Sequence, residues 1–249
     1  MMGRRAIKRP PQVVGVIASR VDLDHAVRMR RPPDLFELRL DRLTAAVIDR
    51  LENTLPKLGA PLIITARHPH EGGAGKLSLR ERCTLLTRFL TRADYIDVEL
   101  RSARAMRTLL ALAGKKKLRR IISFHNLKST PSARLLAMKA HQARAHGADV
   151  FKVATRTDTP MELRRLLDFM TNSRLDLSLA VMGIGKLGAI SRVLLVRAGS
   201  VLIYASLCTT VTEGQLSVAE LRALGIESAA KRQKRNDKGY DVRLTKRHA

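Results

Sequence analysis

Eight short aliphatic runs, spaced 22 to 33 residues apart, are the strongest constraint on what this chain folds into. They read VVGVIAS at 13–19, LFELRLD at 35–41, LIITAR at 62–67 and YIDVEL at 95–100. They continue with RIISFH at 120–125, VFKVAT at 150–155, LSLAVMG at 177–183 and SVLIYASL at 200–207. Such brief runs of Val, Ile and Leu predict strands buried on both faces, as in a parallel sheet. Between them lie segments with helix start signals. Ser78–Glu81, Thr159–Glu162 and Ser217–Glu220 each have capping-box spacing, in which two side chains satisfy orphan backbone donors. Pro160 and Pro131 suit a first helical position, where a missing N–H costs nothing. Gly114, Gly147, Gly199 and Gly225 follow helical patterns and suit a left-handed stop. Eight strand–helix units in about 220 residues predict an α/β fold, a single-domain (β/α)8 TIM barrel. An open doubly wound sheet is the other arrangement with this alternation.

Charge is the loudest feature of the composition: 47 Lys plus Arg against 22 Asp plus Glu give a net charge of +25 over 249 residues. A content of 45% hydrophobic residues nevertheless excludes a disordered basic protein. No run of 18 residues avoids charge, so a membrane-spanning helix is not expected. The eight aromatics are scattered, without the interleaving of basic and stacking residues that single-strand binders use, so nucleic acid is not the expected partner. The basic residues cluster only from Lys231 onward, within a segment, 227–249, read as a solvated tail. Residues 1–12 read as a basic lead-in to the first strand: the apolar stretch behind them is too short for a secretory signal. The barrel is thus placed at 13–226. Cys83 and Cys208 cannot make a disulfide framework, which fits a reduced cytoplasmic setting.

Polar residues interrupt the strands in a consistent way. Strand residues alternate faces, and in a barrel of this type the working groups collect on the inward face near the C-terminal ends. Glu37, Arg39 and Asp41 share one face of the second run; Asp97 and Glu99 share one face of the fourth. Lys152 lies in mid-strand, His125 ends the fifth run, and Arg67 ends the third, with Glu71-Gly72-Gly73 four residues on. Buried charges of both signs need partners, and a catalytic pocket accounts for them better than a structural ion-pair network.

Lys152 is the sharpest of these residues. An ordinary lysine, with a pKa of about 10.4, is neutral in fewer than roughly one molecule in a thousand at pH 7. Desolvation and positive neighbours, here His125, Arg67 and Arg39, are expected to lower it. A lysine beside a histidine is the equipment for forming an imine with a ketone or aldehyde and then moving protons.

Gly183-Ile-Gly185-Lys-Leu-Gly188 spells a dinucleotide fingerprint, but it lies in the seventh unit and no acidic residue follows at the end of the next strand. It reads instead as a loop over the barrel mouth leading to Ser191-Arg192, where a helix start and an arginine suit a substrate carboxylate. His141 and His146 do not share a helix face, and His68 and His70 lack acidic or Cys partners, so no metal site is expected.

Taken in order, these residues resemble type I 3-dehydroquinate dehydratase over about residues 13–222. The matching motifs are E-x-R-x-D (Glu37, Arg39, Asp41), T-x-R-x-x-x-E-G-G (Arg67 to Gly73), D-x-E (Asp97, Glu99) and S-x-H (His125). The strand lysine Lys152, M-G…S-R (Met182, Gly183, Ser191, Arg192) and G-Q (Gly214, Gln215) complete the set. The resemblance implies cis-dehydration of 3-dehydroquinate to 3-dehydroshikimate through a Schiff base on Lys152, with His125 moving protons and Glu71 orienting it. It implies that Arg192 pairs with the substrate carboxylate and that Ser19, Glu37, Arg39, Arg67 and Gln215 contact hydroxyls, with Thr210 or Thr212 standing in for the family's usual hydroxyl residue in the last loop. Met182 would pack on the ring. No metal and no organic cofactor would be required, the partner would be a small anionic substrate, and the assembly would be a homodimer. One departure stands out: where the family usually has a small hydroxyl residue and then Ala-Pro-Gly-Gln, this chain has Thr210-Val211-Thr212-Glu213-Gly214-Gln215. Glu213 at the proline position and Val211 at the serine position lead to an expectation of weaker substrate affinity. Other readings of the same residues are a class I aldolase-like barrel, disfavoured by Arg192 and Gln215, and a non-catalytic basic barrel that binds polyanions through its tail.

Overall fold

The computed structural model describes residues 11–173 and 175–226; the basic tail and most of the lead-in lie outside the described residues. Eight parallel strands follow the predicted runs: β1 Gln12–Ile17, β2 Leu35–Arg39, β3 Leu62–Thr65, β4 Tyr95–Glu99, β5 Arg119–Asn126, β6 Val150–Arg156, β7 Ser178–Ile184 and β8 Leu202–Ser206. Their order in the sheet is β7-β6-β5-β4-β3-β2-β1-β8, so the two end strands are neighbours in the chain. The seam between them is made by a backbone bond from Val201 to Leu179 (2.9 Å) and by the Ser200 hydroxyl, which accepts from the Val181 N–H (2.9 Å). That stitching makes the sheet a nearly closed (β/α)8 barrel rather than an open one.

The helices are α1 Arg20–Arg28, α2 Ala45–Thr54, α3 Leu79–Phe89, α4 Leu100–Ala103, α5 Arg107–Lys115, α6 Ala133–Ala145, α7 Pro160–Asn172, α8 Gly188–Ala198 and α9 Val218–Ala223. All three predicted capping boxes form, at the starts of α3, α7 and α9. Two predicted signals act elsewhere. Pro131 stands one residue before the N-cap Ser132 rather than inside α6, where its fixed φ directs the chain into the cap. Gly114 lies within the last turn of α5, and the left-handed residue is Lys117 (φ 63°). Gly147, Gly199 and Gly225 do take positive φ.

Strand alternation sorts the core into two layers. Outward residues such as Leu38, Ile64, Val98, Ile122 and Val153 pack on Leu51, Leu86, Phe89, Leu136 and Phe169 of the helices. Each fully buried aliphatic or Phe side chain contributes about 1.5–3 kcal/mol. Inward residues Val14, Leu35, Ile63, Tyr95, Ile121, Val150 and Leu202 pack together inside the barrel. Parallel register then brings Ser123 beside Lys152, Thr65 beside Asp97 and Val14 beside Tyr204. The polar members of these pairs face the interior with the apolar ones.

Candidate active site

Glu37, Thr65, Asp97, Ser123 and Lys152 are buried, and they form one hydrogen-bonded set inside the barrel. Lys152 Nζ donates to Asp97 Oδ2 (3.0 Å) and Glu37 Oε1 (3.2 Å), and it lies 3.7 Å from the centroid of the Tyr204 ring. Thr65 donates to Glu37 (2.9 Å) and Ser123 to Asp97 (2.6 Å). Beyond the positive neighbours named from sequence, the direct partners of Lys152 are carboxylates, because burying an ammonium requires nearby negative charge.

Arg67 extends this set. Its Nη1 donates to Asp97, Glu99 and the Ser123 hydroxyl, and its Nη2 to Asp97 (2.9 Å). Burial alone would weaken its hold on the proton, but Asp97 and Glu99 outweigh that and raise its pKa. Burial would likewise raise Asp97, yet Arg67 and Lys152 hold it well below the usual carboxylate range. Behind Glu99 lies Arg82 of α3, one of the largest fully buried side chains, bonded to Glu99, to Ser102 and to the Ala66 carbonyl. Its helical position gave no sequence signal for this role.

At the top of the strands stand the groups with unusual acidity. Glu71 Oε2 lies 3.0 Å from His125 Nδ1 and accepts the His125 backbone N–H at 2.9 Å. Burial, with the charge of Glu99, raises Glu71 to about 7. Burial, with Arg67 and Lys152, pushes His125 well below 6.5, so its imidazole is neutral at neutral pH. Arg39 is paired through Nε and Nη2 to Asp41 (2.9 and 2.8 Å).

Arg192 differs from the other buried arginines. Its Nη1 donates to the carbonyls of Gly183, Gly188 and Gly214 (2.8, 2.9 and 2.7 Å), while Nε has no partner among the described residues. No carboxylate among the described residues offsets its burial, which lowers its pKa to about 10. A buried guanidinium without an anion is a seat for one.

Lys152, His125, Glu71, Glu37, Arg39, Arg67, Met182, Arg192, Thr212 and Gln215 all line one cavity of about 210 Å³ at the C-terminal ends of the strands. Ser19 does not join them: it caps α1, accepting from Asp22 N (3.1 Å), and lines a separate groove between α1 and α2. Six further residues line the cavity without having been singled out from sequence, among them the polar Tyr204 and Arg42. Alternation in SVLIYASL places Tyr204 on the inward face, and Arg42 directly follows Asp41. The G-x-G-x-x-G segment joins β7 to α8, and its Gly188 lets the chain at Gly214 approach closely, since a Cβ there would sit 3.0 Å from the Gly214 Cα.

A parallel barrel whose C-terminal mouth joins a buried lysine, a histidine–carboxylate pair and an unpaired arginine defines a (β/α)8 barrel enzyme. The family model for type I 3-dehydroquinase matches residues 16–226, and the chain belongs to that family. It is 31% identical over 190 residues to the 3-dehydroquinate dehydratase of Thermodesulfovibrio yellowstonii, covering 76% of this chain and 82% of the relative. To that of Pyrococcus abyssi it is 32% identical over 195 residues, covering 77% and 86%. Among solved structures, the Clostridium difficile type I 3-dehydroquinate dehydratase with covalently modified comenic acid superposes with a TM-score of 0.77 at 25% identity, covering 86% of this chain and 90% of that one. The Geobacillus kaustophilus 3-dehydroquinate dehydratase gives the same TM-score, 0.77, at 24% identity, covering 86% and 89%.

Proposed function

We propose that this chain dehydrates 3-dehydroquinate to 3-dehydroshikimate through a Schiff base on Lys152. The observation that carries the reading is the sharing of one cavity by a buried lysine, a neutral histidine and an arginine that lacks an anion. The substrate supplies what the cavity lacks: a carboxylate for Arg192 and a ketone for Lys152.

The Lys152 ammonium first gives up a proton, for which neutral His125 is the acceptor in the same cavity. The amine then adds to the C3 carbonyl, and His125 returns its proton to the carbinolamine oxygen, which leaves as water to give a protonated imine and a neutral His125. That cation withdraws electrons from C2, and His125 removes the C2 proton to give an enamine. With Nδ1–H donating to Glu71, the lone pair of Nε2 serves as the base. The enamine expels the C1 hydroxyl as water, using the proton that His125 has just taken, and hydrolysis of the imine releases product and Lys152. One molecule of water is lost in the net reaction, and the imine is the only electron sink. Glu37, Arg39, Arg67, Thr212 and Gln215 hold the ring hydroxyls, and Met182 packs on the ring. The same resemblance supports a homodimer in the cytoplasm, which sedimentation equilibrium and fractionation check.

The test is incubation with 3-dehydroquinate, reduction with borohydride and mapping of the adduct by mass spectrometry. A substrate-dependent adduct on Lys152 is expected; turnover without one would sink the mechanism, and no turnover would sink the substrate.

A further inference from the structure

In the segment after β8, residues 213 and 214 are tied to the rest of the barrel at three points. The Glu213 carbonyl accepts from Gly185 N (3.1 Å), the Gly214 carbonyl accepts from Arg192 Nη1 (2.7 Å), and the Glu213 carboxylate pairs with Arg156 Nη1 (2.9 Å). Gly214, at φ 72°, lies so close to the β7–α8 loop that a Cβ there would stand 2.6 Å from the Gly185 oxygen. Arg156 is the last residue of β6, four past Lys152. Its direction is fixed by Asp158, which accepts from Arg156 Nε (2.6 Å) and also from Lys186 N (2.8 Å). One chain of polar contacts therefore runs from the lysine-bearing strand through Asp158 to the β7–α8 loop and through Glu213 to the segment that braces Arg192.

We propose that Arg156 and Glu213 form a latch that holds residues 211–215 over the cavity and, through the Gly214 carbonyl, sets the position of Arg192 for the substrate carboxylate. This rests on the dehydratase reading above. Both latch residues are positioning residues, since neither is among those lining the cavity. The latch gives Glu213 a purpose at the place where the resembled family usually has proline: an ion pair does the fastening that a stiff backbone would otherwise do. In this proposal Glu213 supports substrate affinity, against the weaker affinity expected from sequence, and the KM of Glu213→Gln decides between the two.

An ion pair of this exposure, 33% and 56% for the two side chains, has a modest effect that salt screens. Glu213→Gln and Arg156→Gln are each expected to raise KM for 3-dehydroquinate about three- to fivefold with kcat nearly unchanged. The double variant is expected to be no worse than either single one, as required of two residues acting through one contact. In 1 M salt the wild type and Glu213→Gln should converge. In the unliganded protein, Glu213→Gln should speed hydrogen exchange at the Gly185 amide, which donates to the Glu213 carbonyl. Unchanged KM and unchanged Gly185 exchange, additive single effects, or a fall in kcat alone would overturn the latch. A wild type that does not turn over 3-dehydroquinate would overturn the dehydratase reading instead, and the amide exchange would still judge the latch.

Discussion

His125 and Glu71 are joined twice through one oxygen: Glu71 Oε2 meets the imidazole Nδ1 at 3.0 Å and the His125 backbone N–H at 2.9 Å. The second bond fixes the carboxylate relative to the strand, so the first fixes the ring. Glu71→Gln keeps a group able to accept the backbone bond but loses the charge that selects the tautomer. A drop in kcat of about a hundredfold with little change in KM is expected from steady-state kinetics.

The same pair sets a pH dependence. Glu71 titrates at about 7 in the folded protein against 4.5 as its ordinary value. A carboxyl whose folded pKa is raised stabilises the protein below the unfolded value, and that contribution is lost as pH rises through the folded one. His125, lowered below 6.5, acts in the opposite sense: its penalty is relieved as pH rises through 6.5. Glu71→Gln, a permanent mimic of the neutral acid, should therefore be favoured over wild type more at pH 8 than at pH 4.5. The difference approaches about 3 kcal/mol, measured by urea denaturation at the two pH values. An equal effect at both would show that Glu71 ionises normally.

Lys152→Met removes the amine and also the cation between Glu37 and Asp97. Turnover should disappear. Stability should fall by about 3 kcal/mol, because Arg67 is left to balance carboxylates that two cations shared. Retained barrel circular dichroism with a lower urea midpoint would check both parts.

Arg192→Gln should act on binding. The three carbonyls around Arg192 keep a donor, but the substrate carboxylate loses its charge partner. A decrease in kcat/KM of about two orders of magnitude, carried mainly by KM, is expected. A change confined to kcat would place the carboxylate elsewhere.

Arg82 gives a prediction about stability alone. Arg82→Leu keeps the bulk but leaves Glu99, Ser102 and the Ala66 carbonyl without this donor. A loss of about 3–5 kcal/mol is expected, visible as a lowered thermal midpoint.

Much of this was readable before any tertiary contact. Local pattern located all eight strands and the three capping boxes, since alternation and capping depend on residues a few positions apart. It also marked Lys152, His125, Glu37 and Arg67, because charges in strands stand out against aliphatic neighbours. Arg82 escaped notice, being ordinary at a helical position until the fold buries it. Tyr204 escaped too, as an aromatic in a strand looks like core until its ring is found under the Lys152 ammonium.

What the sequence determined by itself was the alternation of strands and capped helices and the set of ionisable side chains aimed at one face. Distances along the chain could not say which of those charges meet. Lys152 and Glu37 are 115 residues apart, and Arg156 and Glu213 are 57 apart; only barrel closure brings each pair together. Closure also decides the signs of the electrostatics, because whether a buried group is favoured as charged or neutral depends on partners supplied by other strands. That is why Lys152 has Glu37 and Asp97 as its direct partners, why Arg192 alone of the cavity's buried arginines lacks an anion among the described residues, and why Ser19 caps a helix outside the cavity.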